Sequence, residues 1–347
     1  MTHDINISIR PDHTGIAARA VQHHHELRVA TASDADDHAR NLSRWNQEYD
    51  QFSAGVFSGR ITELWLTKTQ LFLESTNQVL HQSCAAWPGS LWFGIPIPNG
   101  QQAAMGSNQI PDVSVAVKRG GTEFKLVTPA NFNILGIVID EDTFAQYVQE
   151  VEHLDCYGLL GLREVLAVDL RAKREVCEAL LRILSGTDAA PDRPALSLSP
   201  EMLQDRILMN LVPLLLTATS KEQRISSTLL NRERIVHEVR AYILENPGED
   251  ISIPDLCRRF HVSRRTLQYC FEEVVGMSPL NFLRTVRLNA VRRELFFKCQ
   301  LGQVTEVAMS WGFRHLSQFA SDYRKLFGML PSDTLRASAA NGHNVYR

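Results

Sequence analysis

The chain has 347 residues, a formal net charge of −3, 44% hydrophobic residues and 22% charged ones. That composition excludes a disordered or fibrous chain and gives enough length for two domains. No apolar run approaches the roughly 18 residues of a membrane-spanning helix. The opening MTHDINISIRPDHTG lacks the charged-then-apolar order of a secretory signal, so a cytoplasmic protein with no membrane partner is expected.

Residues 1–40 are polar, with a triple histidine at His23–His25 and an acidic run ASDADD, and are expected to form a flexible arm. His23, His25 and Glu26 do not have the spacing of a metal site and sit in no strand pattern, so no metal is assigned.

Residues 41–140 read as a β-rich domain. Strands are expected at 59–66, 80–87, 91–96, 114–117, 123–127 and 132–139. Turn signals such as Trp87-Pro88-Gly89, Pro98-Asn99-Gly100 and Gly120-Gly121 separate them. Short strands at this density suggest a small cupin- or jelly-roll-like barrel, a fold able to hold one small ligand. Aromatic rings and carboxylates gather here. Glu63, Trp87, Trp92 and Glu123 are assigned to an effector pocket for a small cation, held by ring faces and carboxylate charge. An enzyme with a cupin-like metal site would need a histidine-carboxylate set on these strands, where His81 stands alone.

Residues 141–225 turn helical and are read as a linker and dimerisation region, with helices at 141–154, 170–184 and 200–217 and a Pro- and Ser-containing loop at 185–200. The six cysteines show no CxxC pattern and are read as reduced, structural thiols.

Residues 226–338 organise the rest. Two helix-turn-helix units are expected at 251–275 and 304–327, after an opening helix at 232–246. In the first, Ser252 and Ser263 are placed to cap its two helices, and Gly276 to stop the second. Leu256, Leu267 and Phe271 mark the buried faces. The second unit repeats the first. Phe271, Gly276 and Pro279 correspond to Tyr323, Gly328 and Pro331, each 52 residues on, with an extra residue in the turn at Gly312-Phe313. Between the units, 279–298 keeps a helical period. A helix of about 20 residues spans roughly 30 Å, close to the roughly 34 Å between successive major-groove faces on one side of a duplex. A rod of that length can seat two recognition helices in adjacent turns of double-stranded DNA. Residues 231–336 carry a net charge of +4 and the remainder −7, so the basic end is the one expected to meet phosphate. There is no GxSxG, GxxxxGK[ST], GxGxxG or HExxH motif, and no enzyme activity is expected.

The double repeat resembles the AraC/XylS family of transcriptional regulators. The residues that carry the likeness include Leu256, Ser263, Leu267, Phe271, Gly276, Pro279, Arg287, Ala290, Leu295, Ala308, Gly312, Phe313, Phe319, Tyr323, Phe327 and Pro331. The resemblance implies base-reading positions at Arg265, Gln268 and Tyr269 in the first unit and Leu316, Ser317, Gln318 and Ser321 in the second. Arg264, Arg314, His315, Arg324 and Lys325 are placed for phosphates. Within the family, DLCRRFHVSRRTLQ, WNQEYDQFSAGVFSG and HQSCAAWPGSLWFGIP are similar to activators of ethanolamine-utilisation operons. That likeness implies ethanolamine and adenosylcobalamin as effectors, RNA polymerase as a partner and no catalytic cofactor; a homodimer is a further expectation. The DxHxxG pattern of one class of cobalamin site is absent, since Asp36-x-His38 is followed by Asn41.

Overall fold

The computed structural model describes residues 26–161, 163–186, 198–218, 227–297 and 303–340. The N-terminal part runs β1 (Glu26–Ala32), α1 (Ala35–Arg40), β2 (Asn46–Gln51), β3 (Gly59–Trp65), β4 (Thr69–Thr76), β5 (Leu80–Ala85) and β6 (Ser90–Pro96). It continues with β7 (Ala103–Met105), β8 (Asn108–Ile110), β9 (Ser114–Arg119), β10 (Phe124–Thr128) and β11 (Phe132–Asp140). Then come α2 (Glu141–Val151), α3 (Cys156–Leu160), β12 (Val165–Ala167), α4 (Leu170–Ser185) and α5 (Pro200–Leu216). The C-terminal part is helical: α6 (Ser227–Glu245), α7 (Ile253–Arg259), α8 (Arg264–Val275), α9 (Pro279–Phe297), α10 (Val304–Ser310), α11 (Leu316–Phe327) and α12 (Pro331–Ala340).

The strands form two antiparallel sheets of order β1-β3-β4-β11-β6-β9-β12 and β2-β5-β10-β7-β8. Their inner faces meet over one core that contains Tyr49, Phe57, Ile61, Phe72, Trp92, Phe124 and Ile134. The outer face of the larger sheet is covered by α2, α4 and α5 through a second core of Leu64, Phe93, Leu135, Ile137, Phe144, Leu180 and Leu211. Strand β11 is therefore buried on both faces, which is why it reads as a nearly unbroken apolar run. Two glycines opposite each other, Gly94 and Gly136, make room for the interior rings. A Cβ on Gly136 would lie 2.0 Å from the Phe72 ring, and one on Gly94 would lie 2.4 Å from Trp92.

Six of the strands coincide with the expected ones. The arm needs correction: its residues 26–40 are ordered as β1 and α1, with β1 paired along its length to β3. The polar sequence misled because one face of β1 is open to solvent and α1 is capped by Asp34. His23, His24 and His25 lie outside the described residues. Strands β2 and β4 were also not anticipated. In β2, NQEYDQ shows no alternation of apolar and polar residues, because Asp50 and Gln51 are buried beside Tyr49.

In the helical part, Ser252 forms a capping box with Asp255, Ser263 caps α8, and Gly276 and Gly328 end α8 and α11 in the left-handed conformation. Each helix-turn-helix unit has its own core. Leu256, Leu267, Phe271 and Phe282 fill the first; Leu295, Val307, Phe319, Tyr323 and Phe327 fill the second. Pro331 opens α12 rather than only closing the unit before it; a proline is compatible with the first helical turn.

The two parts are joined by a polar junction on α9. Arg292 pairs with Asp34 in a buried contact. Arg293 meets Asp36 at 3.0 Å and Asp50 at 2.9 Å, and Arg240 of α6 meets Asp50 and Glu48 at 2.6 Å each. Asn289 accepts from the backbone N–H of Gln51 and donates to its carbonyl. Burial pushes the Asp50 carboxyl up, but Arg240 and Arg293 outweigh it and hold the group below its ordinary range. Burial pushes Asp36 up to about 7 against the attraction of Arg293, because this carboxylate also faces Asp34 and Asp50.

Candidate nucleic-acid interface and effector pocket

The sequence places a polar stripe on α8, and the core beneath it explains why it faces outward. Leu267, Cys270 and Phe271 are buried, so the helical period turns Arg264, Arg265 and Tyr269 to solvent. Gln268 lies at the edge of that face and donates to Glu272 Oε1 at 2.7 Å. The Tyr269 ring carries the Arg232 guanidinium 4.5 Å from its centroid, and Arg232 also pairs with Glu273. Helix α11 repeats the arrangement. Phe319, Tyr323 and Phe327 point inward, while Leu316, Ser317, Gln318, Ser321, Arg324 and Lys325 are exposed. Gln318 donates to Asp322 at 2.9 Å. Arg314 pairs with Asp250 between exposed side chains, and exposed His315 occupies the N-cap position of α11 without capping it. Hence all twelve residues assigned to DNA lie on the surfaces of the two units, seven of them as base readers and five as phosphate contacts.

Helix α9, with 19 residues, is about 28 Å long and packs on both units. Of its arginines, Arg293 pairs with carboxylates as a structural side chain, whereas Arg287 donates to the Glu249 carbonyl at 2.6 Å.

Gln268→Ala is expected to lower affinity for a specific site by roughly 1–3 kcal/mol and to relax preference at one base pair. Competition against random DNA checks it, and an equal loss on both would remove Gln268 from the base readers. Lys325→Ala is expected to weaken all sequences alike and to reduce the slope of log K against log salt. A slope that stays at the wild-type value contradicts a phosphate contact.

The four residues assigned to an effector pocket do not converge. Glu63 is buried and accepts from Arg28 Nη2 at 2.8 Å, from the Ser43 N–H and hydroxyl, and from Gln70, so its oxygens are already occupied. Glu123 is exposed and bound to Lys125 and Ser83 on the outer face of the smaller sheet. Trp87 stands edge-on to Trp65 at 5.0 Å between centroids, partly exposed. Trp92 alone faces the barrel interior, stacked on Phe124 at 4.8 Å. The cation pocket as assigned is not assembled, because Glu63 lies on β3 of the larger sheet and Glu123 just before β10 of the smaller one, and each pairs locally with a cation.

The interior holds a different constellation. A small cavity is lined by Trp45, Gln47, Tyr49, Phe72, Glu74, Gln82, Cys84, Trp92 and Phe124. The Tyr49 hydroxyl donates to Glu74 Oε1 at 2.9 Å, and His38 Nε2 lies 3.0 Å from the same oxygen, off the line of a hydrogen bond. Gln47 Nε2 and Trp92 Nε1 are buried donors without a partner. Burial first, and then the Glu74 charge, push the Tyr49 hydroxyl and the Cys84 thiol well above their ordinary ranges, so both stay protonated. The free space for the centre of a water is about 10 Å³, enough for about one molecule. Sequence reasoning missed this cluster because its polar members sit on β2, β4 and β5, where they interrupt the apolar alternation that marks an inward face.

Residues 256–337 match a family model described as a helix-turn-helix domain, HTH_18. The XylDLEGF operon transcriptional activator of Pseudomonas putida is 39% identical over 105 residues, 30% of this chain and 32% of that protein. The XylDLEGF operon transcriptional activator 2 of the same organism is 40% identical over 104 residues, 30% of this chain and 64% of that protein. The chain thus spans about a third of the length of the first of these relatives. A crystal structure of a probable AraC family transcriptional regulator from Rhodopseudomonas palustris is 35% identical, over 30% of this chain and 97% of that one, with a TM-score of 0.28. Among the described residues, no helix is long and apolar enough to cross a membrane. The paired units, their spacing helix and these sequence matches assign the C-terminal domain of this chain to the AraC/XylS family of helix-turn-helix, DNA-binding transcriptional regulators.

Proposed function

We propose that the whole chain is a sequence-specific regulator of transcription whose N-terminal barrel senses a small molecule. The observation that carries the DNA-binding part is the pair of capped or core-anchored recognition helices that present polar and cationic side chains to solvent. Selection of bound sequences from a random duplex pool by the full chain tests it. Enrichment of a motif with two half-sites about one helical turn apart supports it. Retention of unselected DNA only would contradict it.

The finer reading makes the protein a cytoplasmic activator of an ethanolamine-utilisation operon, acting with RNA polymerase and responding to ethanolamine and adenosylcobalamin. A homodimer through residues 141–225 belongs to the same proposal. The resemblance read from the sequence motifs motivates it, and the chemistry of the interior cavity is compatible with it. Glu74 offers an acceptor to an ammonium group, and Gln47 Nε2 and Trp92 Nε1 offer unused donors to a hydroxyl oxygen. Aromatic rings of Trp45, Phe72 and Phe124 line the same cavity as Glu74. A corrin ring is far larger than this cavity, so adenosylcobalamin would sit on an outer surface.

Glu74→Gln is expected to weaken ethanolamine binding at least about tenfold, the loss of one charge-assisted contact of about 1.4 kcal/mol or more. DNA binding without effector should persist. Calorimetric titration checks it, and an unchanged affinity removes the interior from consideration. Equilibrium binding of adenosylcobalamin in the dark, with and without ethanolamine, tests the two-signal reading: mutual strengthening supports it, and no binding of either compound refutes it.

A further inference from the structure

Strand β2 carries two sets of side chains. Gln47 and Tyr49 line the interior cavity, whereas Glu48 and Asp50, one residue on from each, grip Arg240 and Arg293 of the DNA-binding domain. This is the ordinary alternation of a strand, used to face a cavity on one side and a neighbouring domain on the other. Helix α1 is divided in the same way. His38 approaches Glu74 in the interior, while Asp36 and the N-cap Asp34 hold Arg293 and Arg292.

Strand β2 lines the cavity directly, and α1 reaches its wall through His38, which lies against Glu74. The cavity-lining strands β4, β5, β6, β10 and β11 each have a hydrogen-bonded strand on both sides. By contrast, among the described residues β2 is the edge of its sheet, and α1 belongs to no sheet. The cavity has room for about one water, so a ligand of several heavy atoms must push a wall outward. The least constrained wall, β2, is the one whose Glu48 and Asp50 clasp Arg240 and Arg293.

We propose that β2 and α1 act as a relay: a molecule entering the barrel interior displaces their inner side chains and loosens the clasp that their outer side chains form on α9 and α6. The proposal rests on the reading of the interior as the effector site. What the clasp fixes is the placement of both recognition helices. Asn289 and Arg293 hold α9, which joins the two units. The Leu326 carbonyl near the end of α11 accepts from Gln51 Nε2 at 2.8 Å and from the Gly55 N–H at 2.9 Å. The DNA-facing side chains of α8 and α11 remain largely exposed while the clasp is closed, so the relay sets the spacing and freedom of the two helices rather than covering them. Coupling of this kind is reciprocal: whatever opens the clasp also favours entry of the ligand.

The test uses the full chain labelled with ¹⁵N-tryptophan. Trp92 lines the cavity and its buried indole N–H has no partner, so its resonance reports the state of the interior; Trp92→Phe assigns the signal. Two variants weaken the clasp from α9, Arg293→Gln and the milder Asn289→Ala, which removes no charge. Both are expected to move the Trp92 resonance with no ligand present, and to bind ethanolamine several-fold more tightly than wild type. A Trp92 resonance unchanged in both variants overturns the relay, whatever ethanolamine does. Ethanolamine that moves the Trp92 resonance of the wild type yet binds wild type and both variants with equal affinity also overturns it. If the variants move Trp92 but ethanolamine leaves the wild-type resonance in place, the relay is supported and ethanolamine is refuted as the occupant.

Discussion

Arg292→Ala is expected to lower the stability of the full chain by about 3–5 kcal/mol, the usual cost of leaving one buried charge without its partner. Arg292 and Asp34 are both almost inaccessible, at 6% and 3% exposure. Burial opposes the guanidinium charge, but Asp34 outweighs it, and the side chain is held protonated. Its guanidinium also lies 4.5 Å from the centre of the Phe327 ring, so truncation removes packing from the second unit as well as charge. Thermal unfolding read beside Arg258→Ala makes the comparison. Arg258 pairs with Asp255 on an open helix face, and its loss should cost no more than about 1 kcal/mol. Equal shifts for the two variants would mean that the junction contributes no more than a surface pair.

Phe271→Ala is expected to cost about 3–5 kcal/mol within the first helix-turn-helix unit and to abolish specific DNA binding. The ring is fully buried, edge-on to Phe282 at 4.9 Å, beneath the outward face that carries Arg265 and Gln268. Removing it leaves a cavity under the recognition helix, and displacement of the helix by about an ångström spoils bidentate contacts to a base. Hydrogen exchange would show lost protection confined to α6, α7, α8 and the start of α9, which share this core. Full DNA affinity in this variant would contradict the assignment of α8 as a recognition helix.

The C-terminal domain was legible because its signals are local. Ser252 and Ser263 cap, Gly276 and Gly328 terminate, and the apolar period of α8 and α11 is regular. The barrel was legible wherever turns punctuate it, as at Gly120-Gly121 before β10. The interior cavity was not, because its membership depends on which strand lies opposite which. Glu63 and Glu74 are both buried carboxylates on adjacent strands, and only the fold shows Arg28, Ser43 and Gln70 at the first and two unpartnered donors in the cavity that Glu74 lines. The junction was hidden for the same reason: Asp34 and Arg292 are 258 positions apart, and nothing in either segment announces the other.

The two recognition helices are not supported equally. The first has serine caps at α7 and α8, whereas neither α10 nor α11 has a side-chain cap. The carbonyl of Leu326, near the end of α11, is instead held by Gln51 and Gly55 of the barrel. A C-terminal fragment cut free of the barrel would therefore stand on one firm foot. It should tolerate mismatches in the half-site read by α11 while still discriminating in the half-site read by α8, so motifs selected with such fragments would look lopsided compared with those bound by the intact protein.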